Sequence, residues 1–344
     1  METAGLAAHT RRRRNQDIFG THRVYIGIRC QTTKNQEMTS PIFLSSGDVI
    51  ADRRFEWARD REAKGDLTGA ADLLIQALEL APDYASAWFL LGELRERLGD
   101  RAGAVAAFAQ AKAADPSDVH GAALRLTHLG VRSGGAMAEG YVRALFDGYA
   151  PRFDQALTAG LNYRGPELLF RAVEASHAGG QMKFGSVLDL GCGTGLAALP
   201  FRSFSDWMVG VDLSSGMLVQ ARTKALYDRL IEKEILAFLT SEAEIGGHYH
   251  LVLAADVFMY FDDLRAVLSA VAKVMASPGQ LAFSVETHEN CGVILRDTLR
   301  YAHGETHVRA SLAASALNPV SLDFASTRTE KGVPVPGLTV VAGH

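Results

Sequence analysis

The stretch 187-VLDLGCGTG-195 decides how the chain is read. The run 186-SVLDL-190 has the apolar composition of a strand buried on both faces of a parallel sheet. It leads directly into Gly191, Gly193 and Gly195, which alternate with Cys192 and Thr194. Glycine permits backbone angles closed to other residues, and it lets a ligand come close to the main chain. The chain then turns into a helix around 196-LAALPF-201, whose first N–H groups are unpaired and carry partial positive charge. A second strand, 207-WMVGVDLS-214, ends in Asp212, 17 residues after Gly195, and a helix follows at 216-GMLVQARTKAL-226. Strand, helix and strand make a βαβ unit, so this part of the chain is an α/β domain.

Two classes of nucleotide suit such a unit. A carboxylate at the end of the second strand can accept both ribose hydroxyls of a bound nucleoside, and dinucleotide enzymes use it in that way. Their glycines, however, are spaced G-x-G-x-x-G, whereas here all three alternate. Asp189 also stands two residues before the first of them. An acid so placed repels a pyrophosphate but attracts the ammonium of an amino-acid head group. The charge argument therefore favours S-adenosylmethionine over NAD. Cys192 reads as a small side chain within the loop rather than as a reactive thiol.

The pair VLDLGCGTG and VGVDLSSGML resembles the class I S-adenosylmethionine-dependent methyltransferases, and the likeness runs from about residue 140 to 344. The resemblance implies a Rossmann-like, mostly parallel seven-stranded sheet closed by an antiparallel C-terminal hairpin. It implies that Asp189, Gly191, Cys192, Gly193 and Gly195 hold the methionine part of the cofactor, and that Asp212 holds the ribose. Leu213 and Met217 would pack near the adenine. Glu234, in 228-DRLIEKEILAFL-239, stands where related proteins often have an aspartate near that ring. The segment 249-YHLVLAADVFMYFDDL-264 reads as the fourth strand and its exit loop, which would bring Asp256, Val257 and Tyr260 close to the transferable methyl. An amphipathic helix at 263-DLRAVLSAVAKVM-275, a turn and fifth strand at 277-SPGQLAFSVET-287, and a hairpin over residues 320–343 turning at Lys331-Gly332 complete the domain.

Upstream, residues 51–84 match residues 85–118. Ala70 aligns with Ala104, Leu74 with Phe108, Ala77 with Ala111, Pro82 with Pro116, and Gly65-Asp66 with Gly99-Asp100, each 34 residues apart. Every unit reads as two helices joined at a Gly-Asp turn, with small alanines for close approach and a proline past the second helix. With 88-WFLLG-92 in the second unit, the region resembles the tetratricopeptide repeats. The first unit lacks the tryptophan and has Ala58 where Gly92 stands. Residues 119–130 read as a capping helix, so the solenoid spans about 49–130. Binding of a protein or peptide and packing on the next domain are both open for it.

Residues 131–176 read as a linker and broken helices, rich in aromatics. Aromatics at such spacing are more often core than cofactor contacts. The segment 141-YVRALFDGYAPRFDQAL-157 nevertheless resembles a signature found before many small-molecule methyltransferase domains. That resemblance implies a helical lid in which Tyr149 and Phe153 cover the cofactor. The phrases 299-LRYAH-303 and 328-RTEKGVPVPG-337 resemble a narrower group, predicted methyltransferases with tetratricopeptide repeats in front. The cofactor-binding domain proper then covers 177–344.

Composition sets the outer limits. The chain has 344 residues, 48% of them hydrophobic, and a net charge of −4, so neither nucleic acid nor an anionic membrane is favoured globally. Residues 1–48 are expected to be a disordered tail, and Met38 offers a second start, so residues 1–37 read as tail or as an over-extended reading frame. No role follows for 11-RRRR-14. Cys30, Cys192 and Cys291 fit neither a metal site nor a disulfide framework, which points to a reducing, cytoplasmic setting. No apolar run is long enough for a membrane span.

Methyl transfer needs alignment above all, and a general base only for an acceptor protonated near neutral pH. Tyr260, Glu286, His288 and His303 are the candidates near strand ends. His250 lies at the wrong end of its strand. The sequence 256-DVFM-259 replaces the (D/N)PP(Y/F) of amino-methylating DNA and glutamine enzymes. A lid favours a small-molecule acceptor, the repeats leave room for a protein, and no nucleic-acid surface is evident.

Overall fold

A computed structural model describes residues 44–132, 134–177 and 180–344. The reading of residues 1–37 lies outside the described residues. Residues 44–48, expected as the end of a tail, are held by local hydrogen bonds. Asp48 caps the first helix by accepting from the N–H groups of Ile50 and Ala51, Ser46 bonds Asp52, and the N–H of Leu44 reaches Ser86 Oγ.

Four helices form the repeats: α1 (Val49–Ala63), α2 (Leu67–Leu80), α3 (Ala85–Arg97) and α4 (Arg101–Ala114). The two turns are copies of each other. Gly65 and Gly99 take φ of +84° and +81°, and the following aspartates cap α2 and α4 through the N–H groups of Gly69 and Gly103. The repeats differ inside. A Cβ at Gly92 would lie 2.6 Å from Phe108 Cε1, whereas the first repeat buries Ala58 and Leu74 at the equivalent places. A smaller residue on one helix accommodates a larger one on the other. Gly92→Ala should therefore cost about 1–3 kcal/mol through overpacking. Adding Phe108→Leu, which copies the first repeat, should recover part of that loss, and denaturant titration of the three variants measures the coupling.

The short helix α5 (Ala122–His128) closes the solenoid, and α6 (Glu139–Tyr149) packs over it. Tyr141 of α6 lies on Gly121, and Gly140 lies against the Ser117 carbonyl. His128 approaches Asp297 at 3.9 Å, and the Tyr301 hydroxyl donates to the Gly135 carbonyl at 2.8 Å. The end of the solenoid is thus covered by the rest of the chain, as stacked repeats require.

After α6 the chain tightens through residues 150–152, forms the single turn α7 (Phe153–Gln155) and a π turn, and enters α8 (Gly165–Ser176). The expected lid of 131–176 is shorter in the structure. Leu169 and Val173 of α8 are buried on the sheet, and the helix packs against the strands rather than over a cavity.

The sheet follows in sequence: β1 (Phe184–Leu190), α9 (Ala198–Phe201), β2 (Ser205–Asp212), α10 (Ser215–Lys224), β3 (Arg229–Glu232), α11 (Ile235–Glu244), β4 (Tyr249–Ala254), α12 (Leu264–Val274) and β5 (Met275–Glu286). Next come β6 (Val293–Leu295), β7 (Tyr301–His303), α13 (Glu305–Ala314), β8 (Asn318–Phe324), β9 (Thr329–Glu330), β10 (Val333–Pro334) and β11 (Gly337–Gly343). The main order is β3-β2-β1-β4-β5-β11-β8, with β11 antiparallel to both neighbours. Side chains alternate between two cores. Leu188, Leu190, Val252 and Ala254 face α11, α12 and α13, while Val187, Leu251 and Leu253 face α8 and α9. Three details go beyond the expected outline. The fifth strand starts at Met275 and bulges, since Tyr249 pairs with Met275 but Leu251 with Gln280. The turn at Lys331-Gly332 belongs to a separate small hairpin, β9–β10, between β8 and β11. The pair β6–β7 extends the sheet beyond β5.

Candidate active site at the sheet switch point

The chain leaves β1 toward β2 on one side and, after β3, returns to place β4 on the other. Open α/β sheets bind ligands in the crevice at such a switch, beyond the carboxyl ends of the strands. A cavity of about 390 Å³ lies there.

The glycine loop forms its floor. Gly191 has a φ of +61°, and a Cβ on it would lie 2.4 Å from Val257 Cγ2, so both conformation and space require glycine. The Gly193 N–H donates to Asp212 Oδ2 at 2.8 Å, and the Ser214 N–H donates to Asp212 Oδ1 at 2.8 Å. Burial raises the Asp212 pKa to about 6 against these hydrogen bonds. A carboxylate accepts about four hydrogen bonds, so Asp212 keeps acceptor capacity beyond these backbone donors.

The roof comes from α6 and α7. Phe146 meets Phe153 and Tyr260 edge to face, at 6.2 and 5.5 Å between ring centroids. Polar contacts seal it. Asp147 accepts from Ser214 Oγ and from the Gly216 N–H, Arg143 reaches the Leu213 carbonyl and Glu232 at 2.8 Å each, and Asp154 pairs with Lys224 at 2.6 Å and with Thr194. The roof is therefore fastened to both the glycine loop and the β2–α10 junction.

Phe153, Gly191, Cys192, Gly193, Asp212, Leu213, Met217, Glu234, Asp256 and Tyr260 all line the cavity. Six other expected residues do not. Tyr149 stands behind Phe153, edge to face at 5.6 Å, with Arg152 over its ring. Gly195 turns the loop beside Tyr227. Asp189 is 1% exposed beneath the loop, where the Tyr227 hydroxyl donates to Oδ2 at 2.6 Å and Oδ1 has no hydrogen-bond partner. Burial lifts its pKa to about 7. Its side chain shares the α8 and α9 face with Val187, which explains why it stays below the site.

Three of the expected bases lie off the cavity wall. Glu286 is 3% exposed and bound by Arg328, with Arg296 at 3.4 Å and Arg300 at 3.9 Å, so its charge is committed to the fold. His288 holds its own loop, accepting from the Asn290 N–H and pairing with the Gly292 carbonyl. His303 is fully buried beside His307, and burial lowers its pKa to about 4, which keeps it neutral. Asp256 lines the cavity at a φ of +53°, but Ser284, Thr327 and Arg328 occupy its oxygens.

Residues that the pattern did not single out complete the wall, above all Arg300, Arg328 and Tyr163. The two arginines lie inside the phrases 299-LRYAH-303 and 328-RTEKGVPVPG-337, whose distinctiveness was the available signal. Among the described residues no cluster of three His, Cys, Asp or Glu could hold a metal ion, and no helix is long and apolar enough to cross a membrane.

Comparison with known proteins agrees with this architecture. A family described as a methyltransferase domain matches residues 187–279, and a tetratricopeptide repeat family matches residues 55–119. The chain is 34% identical over 106 residues to the malonyl-[acyl-carrier protein] O-methyltransferase of Acetivibrio thermocellus, covering 30% of this chain and 36% of that protein. It is 26% identical over 160 residues to the magnesium-protoporphyrin O-methyltransferase of a Synechocystis species, covering 41% and 66%. The crystal structure of the magnesium protoporphyrin IX methyltransferase from Synechocystis with bound SAH superposes with a TM-score of 0.45 at 19% identity, over 60% of this chain and 99% of that one. The chain spans about a third of the length of the malonyl-[acyl-carrier protein] relatives it matches. The protein has a Rossmann-like mixed sheet, within which residues 187–279 match a methyltransferase domain family, preceded by a tetratricopeptide-like helical region.

Proposed function

We propose that the protein transfers a methyl group from S-adenosylmethionine to a small-molecule acceptor. The observation that carries this reading is Asp212 at the end of β2, its carboxylate on the cavity wall beside a glycine loop that admits no Cβ at Gly191. The residues present fit the cofactor. Asp212 keeps acceptor capacity for a ribose diol, Leu213 and Met217 offer apolar surface for a purine, and Glu234 caps α11 at the same wall. Bound there, the cofactor would supply an electrophilic methyl, and the carbon–sulfur bond would break as the acceptor's lone pair forms the new bond.

The chain's own contribution is position and exclusion of water. Phe146, Phe153 and Tyr260 close an apolar roof, so an acceptor would meet the methyl in a dry, oriented site. Such enclosure supports a small molecule over a folded protein. A second reading, peptide recognition by the repeats, is less favoured because α6 covers their C-terminal end. Relatives named as malonyl-[acyl-carrier protein] and magnesium-protoporphyrin O-methyltransferases support an oxygen atom as the acceptor. We also propose a cytoplasmic location, supported by the free thiols of Cys192 and Cys291.

Incubation with methyl-labelled S-adenosylmethionine and a cell extract, followed by size fractionation, tests the reading. Label in small molecules is the expected result. Label confined to protein or nucleic acid would replace the acceptor class.

A further inference from the structure

The cavity has two chemically different halves. The exits of β1, β2 and β3 contribute glycines, Asp212, Leu213, Met217 and Glu234. The half beyond β4 contributes Asp256, Tyr260, Arg300 and Arg328. Both arginines on the described wall lie in this second half, away from the residues that suit a nucleoside.

Their carboxylate partners hold them from behind. Arg328 is 4% exposed and spends Nε on Glu330, Nη1 on Asp256 and Nη2 on Glu286. Arg300 is 12% exposed, approaches Glu330 and Glu286 through Nη1, and is hydrogen-bonded to the Tyr260 hydroxyl. Neither Glu286 nor Glu330 belongs to the cavity wall. Glu286 and Glu330 thus fix the guanidinium planes from outside the cavity, and the hydrogen bond from Arg300 to Glu330 uses Nη1.

A purely structural ion cluster has no need to place two arginines on the wall of a mostly apolar cavity. Guanidinium groups held rigidly in a dry site bind oxyanions through paired, charge-assisted hydrogen bonds, and the low dielectric strengthens that attraction. The same placement repels a cationic acceptor.

Resting on the methyltransferase reading, the geometry points to an acidic acceptor whose carboxylate or phosphate is anchored on Arg300 beside Tyr260. Arg328 is a positioning residue, which keeps Arg300 and Glu330 in place through its own contacts. The anchor sets which end of the acceptor faces the nucleoside half of the site.

The test sorts a metabolite extract by ion exchange into anionic, neutral and cationic pools, then adds labelled S-adenosylmethionine and the full-length protein. Label is expected in the anionic pool. Arg300→Gln should lower that transfer at least tenfold, while S-adenosylhomocysteine affinity stays within about twofold of the parent and shows that the nucleoside half is still folded. Arg300→Lys should restore part of it, because it returns the charge without the fork. Phosphatase treatment of the pool separates the two anions: loss of acceptor activity identifies a phosphate, and retention identifies a carboxylate. Label only in the neutral or cationic pool overturns the inference, as does full transfer by Arg300→Gln. Failure of the parent protein to bind S-adenosylhomocysteine removes the methyltransferase reading itself, and the inference with it.

Discussion

Arg328→Met is expected to lower stability by about 3–5 kcal/mol, the usual cost of stripping one partner from a buried ion pair. Arg328 is the hub of the acceptor half. It bridges Asp256 after β4, Glu286 at the end of β5 and Glu330 in the small hairpin. Without it, Asp256 keeps only hydroxyl donors from Ser284 and Thr327, and its carboxylate is 14% exposed. Methionine fills much of the same volume, so the loss reports charge rather than a cavity. Glu286 keeps Arg296 and Arg300, so adding Asp256→Asn removes the orphaned charge and should recover part of the stability. Thermal unfolding of the parent, single and double variants decides the matter. A single variant that melts like the parent would show that the cluster carries no stability.

Asp212→Ala should weaken S-adenosylmethionine binding at least tenfold, or about 1.4 kcal/mol. The pH dependence is more diagnostic. Burial raises the Asp212 pKa to about 6. Ribose hydroxyls donate hydrogen bonds, so they favour the ionised carboxylate, and binding is linked to release of its proton. Affinity should therefore be level above about pH 6 and fall as pH drops below it, by up to tenfold per unit. Asp212→Asn removes the titration and should flatten this limb at a lower affinity. Asp189 also titrates in reach, at about 7, but it lies beneath the loop, so Asp189→Asn should leave the limb near pH 6 in place. Calorimetry from pH 5 to 8 on the three proteins measures both effects. Equal affinity in Asp212→Ala and the parent would remove the ribose assignment.

The sheet and the repeats were legible because their signals are local. A glycine loop after an apolar run, an acid at the next strand end and a 34-residue spacing all sit within one or two neighbouring elements. The nucleoside half of the cavity inherits that legibility. Parity was harder to read: Asp189 and Leu190 are adjacent, yet they face opposite cores, and proximity to the glycines said nothing of which side the acid takes. Tyr149 and Phe153 are separated by a tight turn at residues 150–152, which brings only the phenylalanine to the cavity. In the acceptor half, Asp256 and Tyr260 were legible at the exit of the fourth strand, but the arginines were not. Arg300 and Arg328 come from connections that flank β7 and β9, and long-range strand order carries them to the wall. Glu286 had the residue type and strand position of a base, but three arginines from later in the chain commit it to the fold.

The helix α6 has a mechanical consequence. Its first turn is wedged against the repeats through Gly140 and Tyr141, and its last turns carry Phe146 and Asp147 over the site. Its 11 residues make a rod of about 16 Å, too short to bend appreciably between those two attachments. One short helix is therefore shared by the two parts of the chain, so the roof of the chamber has its footing on the repeats.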